Sequence, residues 1–164
     1  MRDYDPLTQL DLNLIALEIS SIRSGLYSSD KFDISKYLET KISSFAYQFI
    51  KHYIEDVKKT SLEDLSKSSN EYLLGLLLEM QTFLDGHAVV KVELSCEMRD
   101  EFVFNLHHKL KDLINEDFVL DLSVNADILG GLIVTYAGKY FDYSIKSAVY
   151  NSFYNEKGES IMKI

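Results

Sequence analysis

The spacing of apolar residues changes near residue 85, and this change constrains the fold more than any other feature of the chain. Before it, apolar residues recur at helical spacing. After it, Val90, Val92 and Leu94 alternate with polar residues, which is the period-two pattern of a half-buried strand. Because the two patterns belong to different elements, the sequence predicts a helical bundle over residues 1–85 and an α+β domain over residues 86–164.

The first 85 residues predict a bundle of amphipathic helices. With Asp5 as the cap and Pro6 in the first turn, the first helix is expected to continue to about Leu26. A longer helix is expected over residues 33–58 and a shorter one over residues 71–84. A capped turn is expected between them, at residues 60–64. The first helix carries two apolar stripes, and we expect it to contact helices on two sides. The stripes are Leu7, Leu10, Leu14 and Leu17, and Ile15, Ile19, Ile22 and Leu26.

The second half predicts about four strands and two helices. A helix follows the first strand, and a second strand is expected from Val119 to Val124. A hairpin and a short helix complete the domain, so the fold class is mainly α with a small α+β domain. The helix after the first strand is expected to bury one apolar face: Phe102, Leu106, Leu110 and Leu113.

A glycine-rich segment shapes the end of this domain. Gly130 and Gly131 lie where a loop enters an apolar strand, a position that uses glycine for unusual dihedrals or close approach. Gly138 is expected in the turn to the next strand. Asp142 is expected to cap a helix whose first turn contains Ser144.

This segment resembles the C-terminal segment of the F-type ATP synthase delta subunit, whose mitochondrial relative is the oligomycin-sensitivity-conferring protein. The resemblance rests on Gly130, Gly131, Asp142 and Ser144, with Gly138 one place later than the usual turn glycine. The strand and helix after residue 88 are similar too, so the likeness covers about half of the chain. Three positions differ from the usual pattern: Asn125, Ala126 and Tyr143.

The resemblance implies a non-catalytic peripheral-stalk, or stator, subunit of a proton-translocating ATP synthase that needs no cofactor and no metal. In the family the helical bundle holds the N-terminal helix of an alpha subunit, and the C-terminal domain engages the end of the b-subunit coiled coil. Both are helix-in-groove contacts. We expect the alpha-type contact at an apolar groove between the first two long helices, near four residues: Leu10, Leu14, Ile42 and Phe49.

Two other classes remain open from the sequence. Stalk-like regulators of flagellar or type III secretion ATPases, and the E subunit of vacuolar-type enzymes, are distantly similar in their C-terminal domains. They usually begin with a long charged coil, whereas this chain begins with an apolar, bundle-like half. The second alternative is a small-molecule-binding α+β domain that uses a pocket beside the hairpin.

Composition disfavours nucleic acid and lipid as direct partners. The formal net charge of −9 would repel a phosphate backbone and anionic lipid alike. The apolar runs are too short for a membrane span, and the N-terminus lacks the pattern of a secretory signal. The single cysteine, Cys96, is expected as a small buried group. We therefore expect a cytoplasmic protein that reaches the membrane only through the ATP synthase complex.

The sequence carries four weak candidates for chemistry, and each has a simpler explanation. His107 and His108 are adjacent on a helix and point about 100° apart, so we expect solvated side chains and no shared metal. The two glycines precede a strand and lack a phosphate-binding motif. Ser144 has no neighbouring base. The acidic residues are expected to form a solvated surface and no calcium loop: Glu116, Asp117, Asp121 and Asp127.

Overall fold

The computed structural model describes residues 5–28 and 33–153. These residues form two compact units, one built mainly from residues 10–87, and the other from Leu7–Gln9 with the chain from Ala88 onward. The first unit is helical and the second contains a four-stranded sheet with helices. This architecture confirms the predicted fold class.

Five α-helices make up the described part of the first unit: α1 (Gln9–Ser28), α2 (Ile34–Lys41), α3 (Ser44–His52), α4 (Leu62–Leu65) and α5 (Asn70–Asp85). Each helix from α2 to α5 is capped at its N-terminus by a polar side chain that accepts a backbone N–H of the first turn. The capping residues are Asp33, Ser43, Ser61 and Ser69. A π-helical stretch, Tyr53–Val57, continues α3. The core of this unit takes residues from these helices: Ile15, Ile19, Ile22, Leu26, Leu38, Ala46, Phe49, Ile50, Leu73, Leu77, Met80 and Leu84.

Two of the predicted helix boundaries are wrong. The helix expected over residues 33–58 is broken at Ile42, whose extended backbone lets Ser43 cap a new helix. The Glu18 carboxylate accepts the Ser43 backbone N–H at 3.2 Å, which stabilises the break. The first helix begins at Gln9, so Asp5 and Pro6 precede it instead of forming its first turn.

The reason for the late start of α1 lies in the second unit. The backbone N–H of Leu120 donates to the Leu7 carbonyl at 2.9 Å, and Thr8 forms a parallel bridge with Leu120. A residue that is paired to a strand adopts extended dihedrals, so the segment before Gln9 cannot be helical. This pairing also covers part of an otherwise open sheet edge.

The sheet of the second unit contains four strands: β1 (Ala88–Leu94), β2 (Phe118–Val124), β3 (Leu132–Tyr136) and β4 (Lys139–Asp142). Their order is β2-β1-β3-β4, with β1 and β2 parallel and the other neighbours antiparallel. Two helices accompany them, α6 (Asp100–Lys111) between the parallel strands and α7 (Ile145–Phe153) after β4. A parallel pair needs such a crossover, whereas β3 and β4 are joined by a two-residue turn.

The core of the second unit lies between α6 and one face of the sheet. Val90, Val92 and Leu94 are buried, as the alternation of β1 predicts. The predicted face of α6 is confirmed in part: Leu106 and Leu110 are partly buried against the core, whereas Phe102 is exposed. The fully buried residues of this helix are Val103 and His107, which the sequence did not predict. Leu113 is exposed. The whole cluster comprises Val90, Val92, Leu94, Val103, Ile114, Phe118, Leu120 and Val134.

Candidate interaction surfaces

The glycine segment brings β3 and the start of α7 very close together. Gly131 has a φ of +83°, and a Cβ on it would overlap the Tyr143 carbonyl oxygen and lie 3.1 Å from the Ser144 Cα. Gly130 has a φ of +149°, and its Cβ would lie 2.7 Å from the Ile145 Cδ1. Both positions therefore favour glycine for its conformation, and Gly131 also requires it for space, because its close neighbours are backbone atoms. The Ile145 N–H donates to the Gly130 carbonyl at 2.9 Å, which holds the two segments in contact.

The turn between β3 and β4 is formed by Ala137 and Gly138. Their φ angles are +48° and +74°, and positive φ at both central residues is typical of a type I′ hairpin turn. The register pairs Tyr136 with Lys139 directly across this turn. Gly138 supplies the left-handed conformation without steric contact, because nothing lies within 4 Å of its Cβ direction.

The residue that caps α7 is Ser144, whereas the sequence predicted Asp142 as the cap. Asp142 is still in β4, and its Oδ1 accepts the Ser144 N–H at 2.8 Å. The buried Ser144 hydroxyl accepts the Ser147 N–H at 3.1 Å, so it is Ser144 that caps α7. Hydrogen bonds from Ser144, with a smaller contribution from Ser147 and Lys146, lower the pKa of Asp142.

Replacing Asp142 with Asn tests this charge with little change of shape. Because the pKa of Asp142 is lower in the folded state, its charge stabilises the fold above about pH 4, the usual range for an unfolded aspartate. That stabilisation is lost as the pH falls through the folded pKa. We expect Asp142→Asn to melt below the parent protein at pH 7, and the difference to shrink progressively as the pH falls below about 4. Asp112→Asn is the control, and a pH-independent difference would contradict the assignment.

The hairpin and α7 leave a group of large apolar side chains exposed, which we call the hairpin face. It comprises Leu129, Tyr140, Ile145, Val149 and Tyr150. Leu129 has a φ of +59°, an uncommon conformation for a leucine, and its side chain is three-quarters exposed at 75%. Strand β4 is at an edge of the sheet, and all four of its residues are exposed. Several large exposed apolar groups on consecutive elements are typical of a binding surface.

Helix α1 carries a second exposed apolar group, which we call the α1 stripe: Leu10, Leu14 and Leu17. Their exposed fractions are 78%, 38% and 70%. The other predicted stripe, from Ile15 to Leu26, is buried. The expectation of helices on both sides of α1 is therefore wrong within the described residues, because the leucine stripe faces solvent.

The four residues predicted near the alpha-type contact have different environments. Leu10 and Leu14 belong to the exposed α1 stripe. Ile42 is half-buried at the break between α2 and α3, and Phe49 is buried at 4%. Phe49 lies among aromatic rings, 6.4 Å from Tyr53 and 6.5 Å from Phe83 between ring centroids. Of these four residues, Leu10 and Leu14 are the exposed ones. The sequence did not predict the exposed Leu129 or the exposed apolar residues of α7.

Two predictions about candidate chemical groups are wrong. His107 is buried at 4%, and it is not a solvated histidine: its ring stacks on Phe118 at 4.4 Å and its Nε2 donates to the Phe118 carbonyl at 3.0 Å. It joins α6 to the start of β2. Cys96 is exposed after β1, whereas a buried position was expected. Within residues 5–28 and 33–153, no group of three or more His, Cys, Asp or Glu side chains is arranged to hold a metal ion.

A search of curated protein sequences found no significant match to the chain. In the part of the chain that the structure describes, no helix is long and apolar enough to cross a membrane.

The family match covers most of both units. Residues 34–152, more than half of the chain, match the model of the family described as "ATP synthase delta (OSCP) subunit". The matched range begins at α2 and ends within α7, so it includes the glycine segment and the hairpin face. The chain therefore belongs to the ATP synthase delta (OSCP) subunit family, whose members are subunits of the peripheral stalk.

Proposed function

We propose that this chain is a non-catalytic stator that links the catalytic head of an F-type ATP synthase to its b-subunit stalk. The observation that carries the proposal is the family match over residues 34–152. The mechanical task is to resist rotor torque, which needs tight association and no reacting groups. We also propose that residues 1–85 and 86–164 act as its two binding domains, and that the protein is cytoplasmic and reaches the membrane only through the complex.

The α1 stripe supports the contact with the head. Leu10, Leu14 and Leu17 recur at i, i+4 and i+7, which is the spacing of anchors in helix-in-groove recognition. We propose that the N-terminal helix of an alpha subunit covers this stripe. We propose that Ile42, which is half-buried, lies at the edge of this contact, and that the buried Phe49 does not touch the partner directly.

The hairpin face supports the contact with the stalk. It lies in the second unit, so the two proposed contacts use separate units of the chain. Tyrosine is common at protein interfaces because its ring is apolar and its hydroxyl stays hydrated, and this face carries Tyr140 and Tyr150. We propose that the end of the b-subunit coiled coil binds here.

Affinity purification of the tagged protein from its own cells in gentle detergent, followed by mass spectrometry, tests the proposal. Recovery of alpha, beta and b subunits supports it. Recovery of flagellar, secretion or vacuolar-type ATPase components would assign the chain to another motor. If no ATPase is recovered, a thermal-shift screen with nucleotides and metals tests the small-molecule alternative, because a ligand that binds only the folded state raises the melting temperature.

Variants of the two surfaces are expected to lose different partners, one measured by binding to the isolated alpha-subunit helix and the other by recovery of b in the purification. Leu17→Asp introduces a charge on the α1 stripe, and we expect at least a roughly tenfold lower affinity for the isolated alpha-subunit helix while recovery of b is kept. Val149→Asp on the hairpin face should reduce b and keep the alpha-helix contact. Leu113→Asp, at an exposed leucine outside both surfaces, is the control. Equal effects of all three variants would contradict the assignment.

A further inference from the structure

The hairpin face continues into a cavity within the second unit. The cavity has a volume of about 420 Å³. Ile128 and Ile133, both buried, form its apolar floor. Tyr140 and Tyr150 line it and also belong to the hairpin face, so the cavity opens directly onto that face. A partner that covers the hairpin face therefore reaches the cavity as well.

The cavity is acidic. Three carboxylates line it, from Glu93, Asp127 and Asp142, against one cation, Lys146. Two of the carboxylates are held in place: Glu93 accepts the Asn125 side-chain amide at 2.6 Å, and Asp142 accepts the Ser144 N–H at 2.8 Å.

The lining determines which side chain fits. Tyrosine rings attract a cation to their faces, and carboxylates supply its counter-charge. Apolar groups on the floor contact the methylene stem of a long side chain. Lysine and arginine combine a stem with a terminal cation, whereas an acidic side chain would meet three like charges. The negative charge of the cavity thus favours a partner that carries a lysine or arginine over one that carries an acidic side chain.

We propose that the occupant of the hairpin face is an amphipathic helix of a stalk partner, whose apolar side covers Ile145, Val149 and Tyr150 and which places one lysine or arginine in the cavity. This inference rests on the proposed function, because it specifies the chemistry of the stalk contact. It adds the requirement that the docking helix carries a cation next to its apolar stripe.

Charge reversal at Asp127 tests the requirement. Asp127 is exposed at the cavity, so Asp127→Lys should fold normally. We expect it to reduce the recovery of the stalk partner at least roughly tenfold, because a cation in the cavity would then repel the partner's cation. Glu116→Lys makes the same change of charge at an exposed site of the same unit. If the two variants recover equal amounts of the partner, the effect is one of net charge and the inference is overturned.

Photo-crosslinking identifies the occupant independently. A photoreactive phenylalanine analogue at position 150 should crosslink, in the assembled complex, to a helical segment with a lysine or arginine beside apolar residues. A crosslink to a segment without such a cation overturns the inference, even when the wild-type protein recovers the ATP synthase subunits. Failure of the wild-type protein to recover any ATP synthase subunit would instead overturn the proposed function, and this inference with it.

Discussion

The Gly131→Val variant is expected to lose the folded second unit. Its Cβ would overlap the Tyr143 carbonyl oxygen, a backbone atom that cannot rotate away, and would lie 3.1 Å from the Ser144 Cα. A β-branched residue is also strained at a φ of +83°. We expect a loss above about 4 kcal/mol, which is comparable to the whole stability of a small unit. Thermal unfolding followed by circular dichroism measures it.

Gly138→Ala is the matched control for this variant. Gly138 has a similar φ of +74°, but nothing lies within 4 Å of its Cβ direction. It therefore carries only the cost of the left-handed backbone, roughly 1–2 kcal/mol. The difference between the two variants measures the close approach to Tyr143 and Ser144 together with the added strain of a β-branched side chain. If Gly131→Val melts at the temperature of Gly138→Ala, that close approach does not stabilise the unit.

The sequence predicted the glycine segment well, because the requirement for glycine is local. A double glycine before an apolar strand already indicates unusual dihedrals, and both glycines have them. The cap of α7 was harder to predict. Asp142 and Ser144 are both good caps by type, and the choice between them depends on how far the pairing of β4 extends, through Asp142 opposite Ile133.

The helix boundaries were missed where long-range contacts decide them. Apolar residues keep their helical spacing through residues 40–45, so the sequence pattern does not reveal the break at Ile42. The break is stabilised by Glu18, 25 positions earlier in the chain. Likewise, Leu7 is held by Leu120, which lies more than a hundred residues later. Local propensity carries no information about either partner.

The two candidate surfaces show the limit of periodicity. A helical stripe of leucines predicts an apolar contact, but it does not show whether the contacting residues belong to the same chain or to a partner protein. The isoleucine stripe of α1 is covered by its own unit, and the leucine stripe is exposed. Within α6 the predicted stripe is only half covered: Leu106 and Leu110 pack against the core, while the buried His107 lies at a position that apolar periodicity does not mark.

The Phe118→Ala variant is expected to lower the free energy of unfolding of the second unit by about 3–5 kcal/mol. Phe118 is 2% exposed in the core of the second unit, and its ring stacks on His107. Removing the ring leaves a cavity and deprives the histidine of its stacking partner. Urea unfolding measures the loss as a lower midpoint.

Phe141→Ala is the control, since Phe141 lies in β4 with 42% of its surface exposed and should lose no more than roughly 1–2 kcal/mol. The His107 hydrogen bond is to the backbone carbonyl of residue 118, so it survives the substitution. The variant thus tests packing separately from that bond. If Phe118→Ala loses no more stability than Phe141→Ala, the contact between α6 and β2 is not what holds the sheet to its helix.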